Sequence, residues 1–139
     1  MLSALLADLI IQGKATLDDP LSAHVPKGVS VPNFNGQAIL LKHLVSHTSG
    51  LQVVPEFGAN VAMDNPYAKV SANSLYATLS KTTLARAPGS QFEYSNYAMM
   101  LLSDIVVRLG GKNLETQLRE KLFNPTGMAN AYLGKKPKA

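Results

Sequence analysis

The 139-residue chain has no cysteine and no tryptophan, and aromatic side chains make up only 6% of it. The missing thiols exclude a disulfide framework, a thiolate nucleophile and a cysteine-based zinc site, and they fit either side of a membrane, so they assign no compartment. Charge is sparse as well. Lys, Arg, Asp and Glu together amount to 16%, the formal net charge is +4, and Lys135, Lys136 and Lys138 of the C-terminal tail supply three of the positive charges. The body is therefore close to neutral and lacks the basic face with interleaved aromatics that nucleic-acid binding needs. A long hydrophobic run is absent too. Met1 to Ile11 carries Asp8 in its middle, has no basic residue and is far short of a membrane span. With Leu2, Leu5, Leu6, Leu9 and Ile10 on one face and Gly13 as a terminator, it reads as a core helix.

What is present suits a globular domain. Hydrophobic residues make up 46% of the chain, enough to bury a core, and no repeat, low-complexity tract or interior linker interrupts residues 1–139. The fold class expected is mostly α, one compact lobe of about six helices. Pro20, Pro26, Pro32, Gly28 and Gly36 leave room only for a helical turn around Leu21 to His24, with His24 a surface histidine. Ile39 to His47 reads as a helix ended by Ser49-Gly50. Asn60 to Lys69, broken by Pro66, reads as a surface loop. Ala72 to Thr83 is a helix capped by Ser71 or Asn73, and Asn113 caps a last helix through Leu114, Leu118 and Leu122 that stops at Pro125.

Two patterns invite a chemical reading and do not sustain it. His43 and His47 stand at the i, i+4 spacing of a zinc helix, but Leu44 and Val45 occupy the positions where that motif needs a glutamate base, and no third ligand follows. No metal or other cofactor is expected. Ser46 and Ser49 flank His47 without the G-x-S-x-G elbow that would present either as a nucleophile.

The stretch around which the chain is organised is Pro88-Gly89-Ser90-Gln91-Phe92-Glu93-Tyr94-Ser95-Asn96. Pro-Gly marks a turn, Ser95 and Asn96 suit a helix N-cap, and Ala98, Leu101, Leu102, Ile105 and Leu109 then follow a 3.6-residue period. A helix is predicted to begin at or beside Asn96. The ordinary reading has Tyr94 covering core and Asn96 capping; the functional one has phenol and amide entering one cleft at a loop-to-helix junction.

Four segments, in order, favour the second reading. Ala87 to Tyr97 resembles the Y-x-N segment of the serine β-lactamase-like superfamily, which includes class C β-lactamases, penicillin-binding proteins and esterases. Gln12-Gly13-Lys14-Ala15-Thr16-Leu17-Asp18-Asp19-Pro20 is similar to its "xGKxxLDDP" segment, and Ile39 to Leu51 to "ITLRHLLSHTSGL". Lys121-Leu122-Phe123-Asn124-Pro125-Thr126-Gly127-Met128 is similar to "xIFxPLGM". The resemblance covers nearly the whole chain. It implies the helical lobe of the β-lactamase/transpeptidase-like α/β fold, with little or no sheet in these residues.

The same resemblance implies the chemistry. Tyr94 matches the family's catalytic tyrosine, a base and proton relay working with a lysine amine; Asn96 matches its substrate-orienting amide. Gln52, in the loop Gln52 to Gly58 that lines a wall of the acyl site, is a substrate contact. The substrate would be a small acyl compound, a β-lactam, peptide or ester, since those branches share every motif quoted. A free phenol has a pKa near 10, so it serves as a base near neutrality only where cations stabilise the phenolate. Here the chain departs from the pattern. No serine has a lysine three residues later, so the S-x-x-K nucleophile motif is absent, and no K-T-G strand follows. By the resemblance the S-x-x-K lysine would fall just ahead of Met1, so an internal fragment is expected, natural or engineered. Uncovered apolar surface would then favour self-association. The alternative is a catalytically inactive helical module that binds a ligand or partner.

Overall fold

A computed structural model of the chain describes residues 1–56 and 64–134. It is mostly helical, and among the described residues its only sheet is a two-stranded ribbon. The lobe of the β-lactamase fold expected from the sequence is thus what the helices build. No helix among the described residues is long and apolar enough to cross a membrane. The lysine tail and the residues between Glu56 and Asp64, which include the end of the Gln52 to Gly58 loop and the start of the Asn60 to Lys69 loop, lie outside the described residues.

The chain divides into two compact units. One comprises Met1–Thr16 and the residues from Ser103 onward. Helix α1, Leu2–Ile11, buries Leu5, Leu6 and Leu9 on the face that its leucine spacing defines. It ends in a Schellman turn: Gly13 takes φ 70°, its N–H donates to the Ile10 carbonyl, and the Lys14 N–H donates to the Leu9 carbonyl. Helix α5, Leu114–Leu118, is capped by Asn113, whose side chain accepts from the Thr116 N–H, and continues as one π-helical turn, Arg119–Phe123. That turn lies against α1, and Lys121 reaches Asp8 at 3.3 Å. Ala15, Ile105, Val106, Gln117, Leu118 and Phe123 are buried in this unit as well.

The other unit is Leu17–Leu102. Leu21–Ala23 forms the expected helical turn. His24 is not the surface residue its setting among prolines suggests: its ring is largely covered, and Nε2 stands 2.9 Å from Asp19 Oδ2. The ribbon pairs β1, Asn33–Phe34, with β2, Gln37–Ala38, through a turn in which Asn35 and Gly36 both take positive φ. This Asn-Gly hairpin signal went unread in the sequence. Helix α2 is shorter than its apolar pattern predicts, Leu41–Val45, because Leu40 is extended and bridges Pro20. Helix α3, Ala72–Lys81, is capped by Ser71, whose side chain accepts from the Ser74 N–H. Helix α4, Asn96–Gly110, starts where the pattern places it. Its first residues, Tyr97, Ala98, Leu101 and Leu102, are fully buried, as are Leu21, Ile39, Leu41, Leu44 and Leu79 of the same unit.

Candidate functional site

Tyr94 and Asn96 sit where α4 begins, and the local sequence explains why their side chains are free for other work. The cap is neither of them. Ser95 is fully buried; its Oγ accepts from the Ala98 N–H at 3.0 Å and donates to the Gln52 carbonyl at 2.7 Å. Serine, rather than asparagine, closes the helix start, so the Asn96 amide is left to donate from Nδ2 to the Tyr67 hydroxyl at 3.3 Å. Residues either side of a buried cap point away from it. Tyr94 accordingly remains 55% exposed, and Phe92 65%.

The loop holding Tyr94 is stitched to the segment 47–53 by backbone bonds. The Glu93 N–H donates to the His47 carbonyl at 2.7 Å, the Gly89 N–H to the Thr48 carbonyl at 2.7 Å, and the Tyr97 N–H to the Val53 carbonyl at 3.2 Å. With the Ser95–Gln52 bond these fix Gln52 beside the Tyr94–Asn96 turn, and the Gln52 side chain is exposed. All three residues picked out by the sequence thus belong to one patch of the 17–102 unit. Arg86 and Glu93 form an ion pair, so the carboxylate next to Tyr94 in sequence has a cation of its own. Deeper in, the Tyr97 hydroxyl donates to the Leu75 carbonyl at 2.8 Å; burial, followed by the neighbouring Tyr76 and Glu56, pushes that phenol well above its ordinary range. Tyr97 is therefore a core tyrosine and Tyr94 the accessible one.

Each histidine of the i, i+4 pair accepts a backbone amide on its Nδ1. His43 Nδ1 accepts from the Leu40 N–H at 3.1 Å, and His47 Nδ1 accepts from the Ser95 N–H at 3.2 Å. His47 also lies against Tyr94, ring centroids 4.6 Å apart and planes inclined by 31°, with the Phe92 ring at 6.0 Å edge-on. Two residues of the patch were missed in the sequence: His47, whose role there went no further than a discarded pairing, and Tyr67, read as part of a loop. No motif flags a tyrosine twenty-nine residues before its partner. The patch thus combines an exposed phenol, a donor and acceptor amide and the exposed Gln52 residue, and Ser95 is buried in its cap.

The chain is 38% identical over 128 residues to the D-alanyl-D-alanine-carboxypeptidase/endopeptidase AmpH of Escherichia coli K12, matching 92% of its own length and 33% of the relative's. It thus spans about a third of the curated relatives it matches. A crystallised beta-lactamase/D-alanine carboxypeptidase from Yersinia pestis superposes with a TM-score of 0.82 at 35% identity, covering 99% of this chain and 38% of that one. An octameric penicillin-binding protein homologue from Pyrococcus abyssi gives 0.71 at 25% identity, over 96% of this chain and 31% of the other. Residues 1–139 in their entirety match the Beta-lactamase family, and the chain belongs to it.

Proposed function

We propose that this chain supplies the Tyr94–Asn96 half of an acyl-transfer site in a serine hydrolase acting on a β-lactam, a D-alanyl peptide or an ester. Tyr94 is its proton relay, Asn96 orients the substrate's carbonyl side chain, and Gln52 contacts the same substrate from the adjoining loop. The observation that carries the reading is the accessible Tyr94 phenol one residue from a buried cap, with the Asn96 amide on the other side of it and Gln52 tied to the cap itself. The D-alanyl carboxypeptidase activity in the names of two relatives, over 35–38% identity, supports the substrate class.

Acyl transfer through a covalent intermediate needs a nucleophile, a base to take its proton and a donor to the leaving group. Tyr94 fits the second and third tasks: as a phenolate held by the lysine of an S-x-x-K motif, its oxygen takes the proton leaving the nucleophile and, then neutral, returns it to the departing group. Asn96 fits positioning, with an amide able to donate and accept at once. The nucleophile of this reading is an S-x-x-K serine, which these residues do not contain. A base and an orienting amide without it give little, because groups acting as one catalytic unit are not additive.

The test is a chimera in which this chain replaces its matching stretch of the E. coli carboxypeptidase, assayed with a chromogenic β-lactam and a D-alanyl-D-alanine peptide. Turnover is expected, falling about 10²–10⁴-fold in kcat with Tyr94→Phe. An active chimera indifferent to Tyr94→Phe would overturn the assignment. So would acylation of one of the 139-residue chain's own serines by a fluorophosphonate, seen as a mass shift. Exposed apolar side chains, among them Ile11 and Phe92, also support self-association of the chain, which sedimentation would show as a dimer or larger species.

A further inference from the structure

His47 stands in a backbone conformation that residues with a side chain adopt only at a cost. Helix α2 ends in a Schellman turn: the His47 N–H donates to the Leu44 carbonyl and the Thr48 N–H to the His43 carbonyl, with His47 itself at φ 55°. Glycine is the usual residue at that place, because any side chain there meets the steric penalty of the left-handed region. In α1 the equivalent place is held by Gly13. A histidine in its stead needs compensation, and everything that offsets the strain comes from the loop carrying Tyr94. The His47 carbonyl accepts from Glu93 N–H, its Nδ1 accepts from Ser95 N–H, and its ring lies 4.6 Å from the Tyr94 ring. These contacts bracket Tyr94 on both sides in sequence and on one face.

We infer that His47 is the positioning residue for Tyr94: its left-handed backbone turns the imidazole out of α2, so that one ring nitrogen fixes the Ser95 amide and the ring plane sets the orientation of the phenol. The bond to Ser95 N–H requires Nδ1 to be unprotonated, so the neutral ring carries its proton on Nε2. His47 contacts no reacting atom in this scheme; it acts through Tyr94. Its relevance to proton transfer rests on the acyl-transfer reading of that tyrosine, whereas the placement of the two rings does not.

The experiment uses the chain itself and no substrate. Long-range ¹H–¹⁵N spectra of the unmodified protein should show the neutral His47 ring protonated on Nε2, and Ser95 should have a slowly exchanging amide. Two substitutions suit the left-handed turn and so leave α2 intact. His47→Asn keeps an acceptor oxygen close to the place of Nδ1 but removes the ring; His47→Gly removes both while easing the backbone. Ser95 exchange should accelerate at least about tenfold in His47→Gly and be largely restored in His47→Asn, while the Tyr94 ring resonances shift in both. An Nδ1-protonated ring would overturn the proposal, and so would a folded His47→Gly whose Ser95 exchange and Tyr94 resonances match those of the unmodified chain. Either result would stand whether or not the chimera turns over its substrates.

Discussion

Ser95 Oγ donates to the Gln52 carbonyl at 2.7 Å while accepting from Ala98 N–H at 3.0 Å, so one buried hydroxyl both starts helix α4 and pins the loop that follows α2. A single atom therefore couples the sequence neighbours Tyr94 and Asn96 to Gln52, more than forty residues earlier. Replacing Ser95 by Ala removes the cap and leaves the Gln52 carbonyl short of a partner. Urea unfolding should show a loss of about 1–2 kcal/mol. Ser95→Thr, which keeps the hydroxyl, should recover part of it; an unchanged midpoint in Ser95→Ala would contradict this role.

The Tyr97 hydroxyl is a second buried anchor of the same helix, donating to the Leu75 carbonyl of α3. Because that carbonyl also accepts a bond within its own helix, Tyr97→Phe should cost only about 1 kcal/mol. It should leave the substrate-dependent behaviour of the chimera intact. Tyr94→Phe should do the reverse, altering turnover with little change in stability, since the Tyr94 side chain is more than half exposed. Measuring both variants for both properties separates the core phenol from the accessible one.

Gly110 ends α4 for a reason that helix propensity cannot supply. A β-carbon there would run into the side-chain amide of Gln117, which donates to the Val106 carbonyl at 3.1 Å and the Lys112 carbonyl at 2.7 Å. Alanine in a helix is ordinarily worth about 1 kcal/mol over glycine. Here Gly110→Ala must expel the buried amide and forfeit two hydrogen bonds, so the net change should be a loss of about 1–2 kcal/mol. With Gln117→Ala already in place, Gly110→Ala should instead be neutral or stabilising. The sign of that double-mutant cycle is the check.

How much of this was legible beforehand varies with the physics that fixed each feature. Helices α1, α3 and α4 were readable because a 3.6-residue apolar period and a capping residue agreed in each, and the placement of Tyr94 and Asn96 followed from the start of α4. Helix α2 came out shorter than its pattern, since Leu40 is drawn into an extended bridge with Pro20 that no local signal encodes. His24 and His47 were misjudged because each is defined by a side-chain contact that no periodicity encodes, Asp19 five residues earlier in one case and the distant Tyr94 loop in the other. Histidine is one of the residues that tolerates positive φ, and the helix ending directly before Thr48-Ser49-Gly50 was the one available hint. Tyr67 had no such hint, because its bond to Asn96 is made by two side chains with nothing in common but proximity.

The last prediction concerns acid. Burial lowers the pKa of His43 below its usual 6.5, the adjacent Lys42 ammonium lowers it further, and Asp18 opposes them weakly. The geometry agrees, because Nδ1 accepts the Leu40 N–H at the start of α2, a bond that a protonated ring would lose. With the folded-state value depressed, the unfolded chain takes up the proton first as pH falls through 6.5. Stability should therefore be level above that pH and decline below it, until the folded-state ring is protonated as well. His43→Gln supplies an uncharged acceptor at the third helical position, where a glutamine reaches back to the N-cap amide. It should keep the midpoint near neutrality and flatten the decline between about pH 7 and pH 5, above the range where carboxylates titrate. Every other side chain is common to the two proteins, so the difference between the two urea-midpoint curves isolates His43. Parallel curves across that window would mean that His43 carries its proton as readily folded as unfolded.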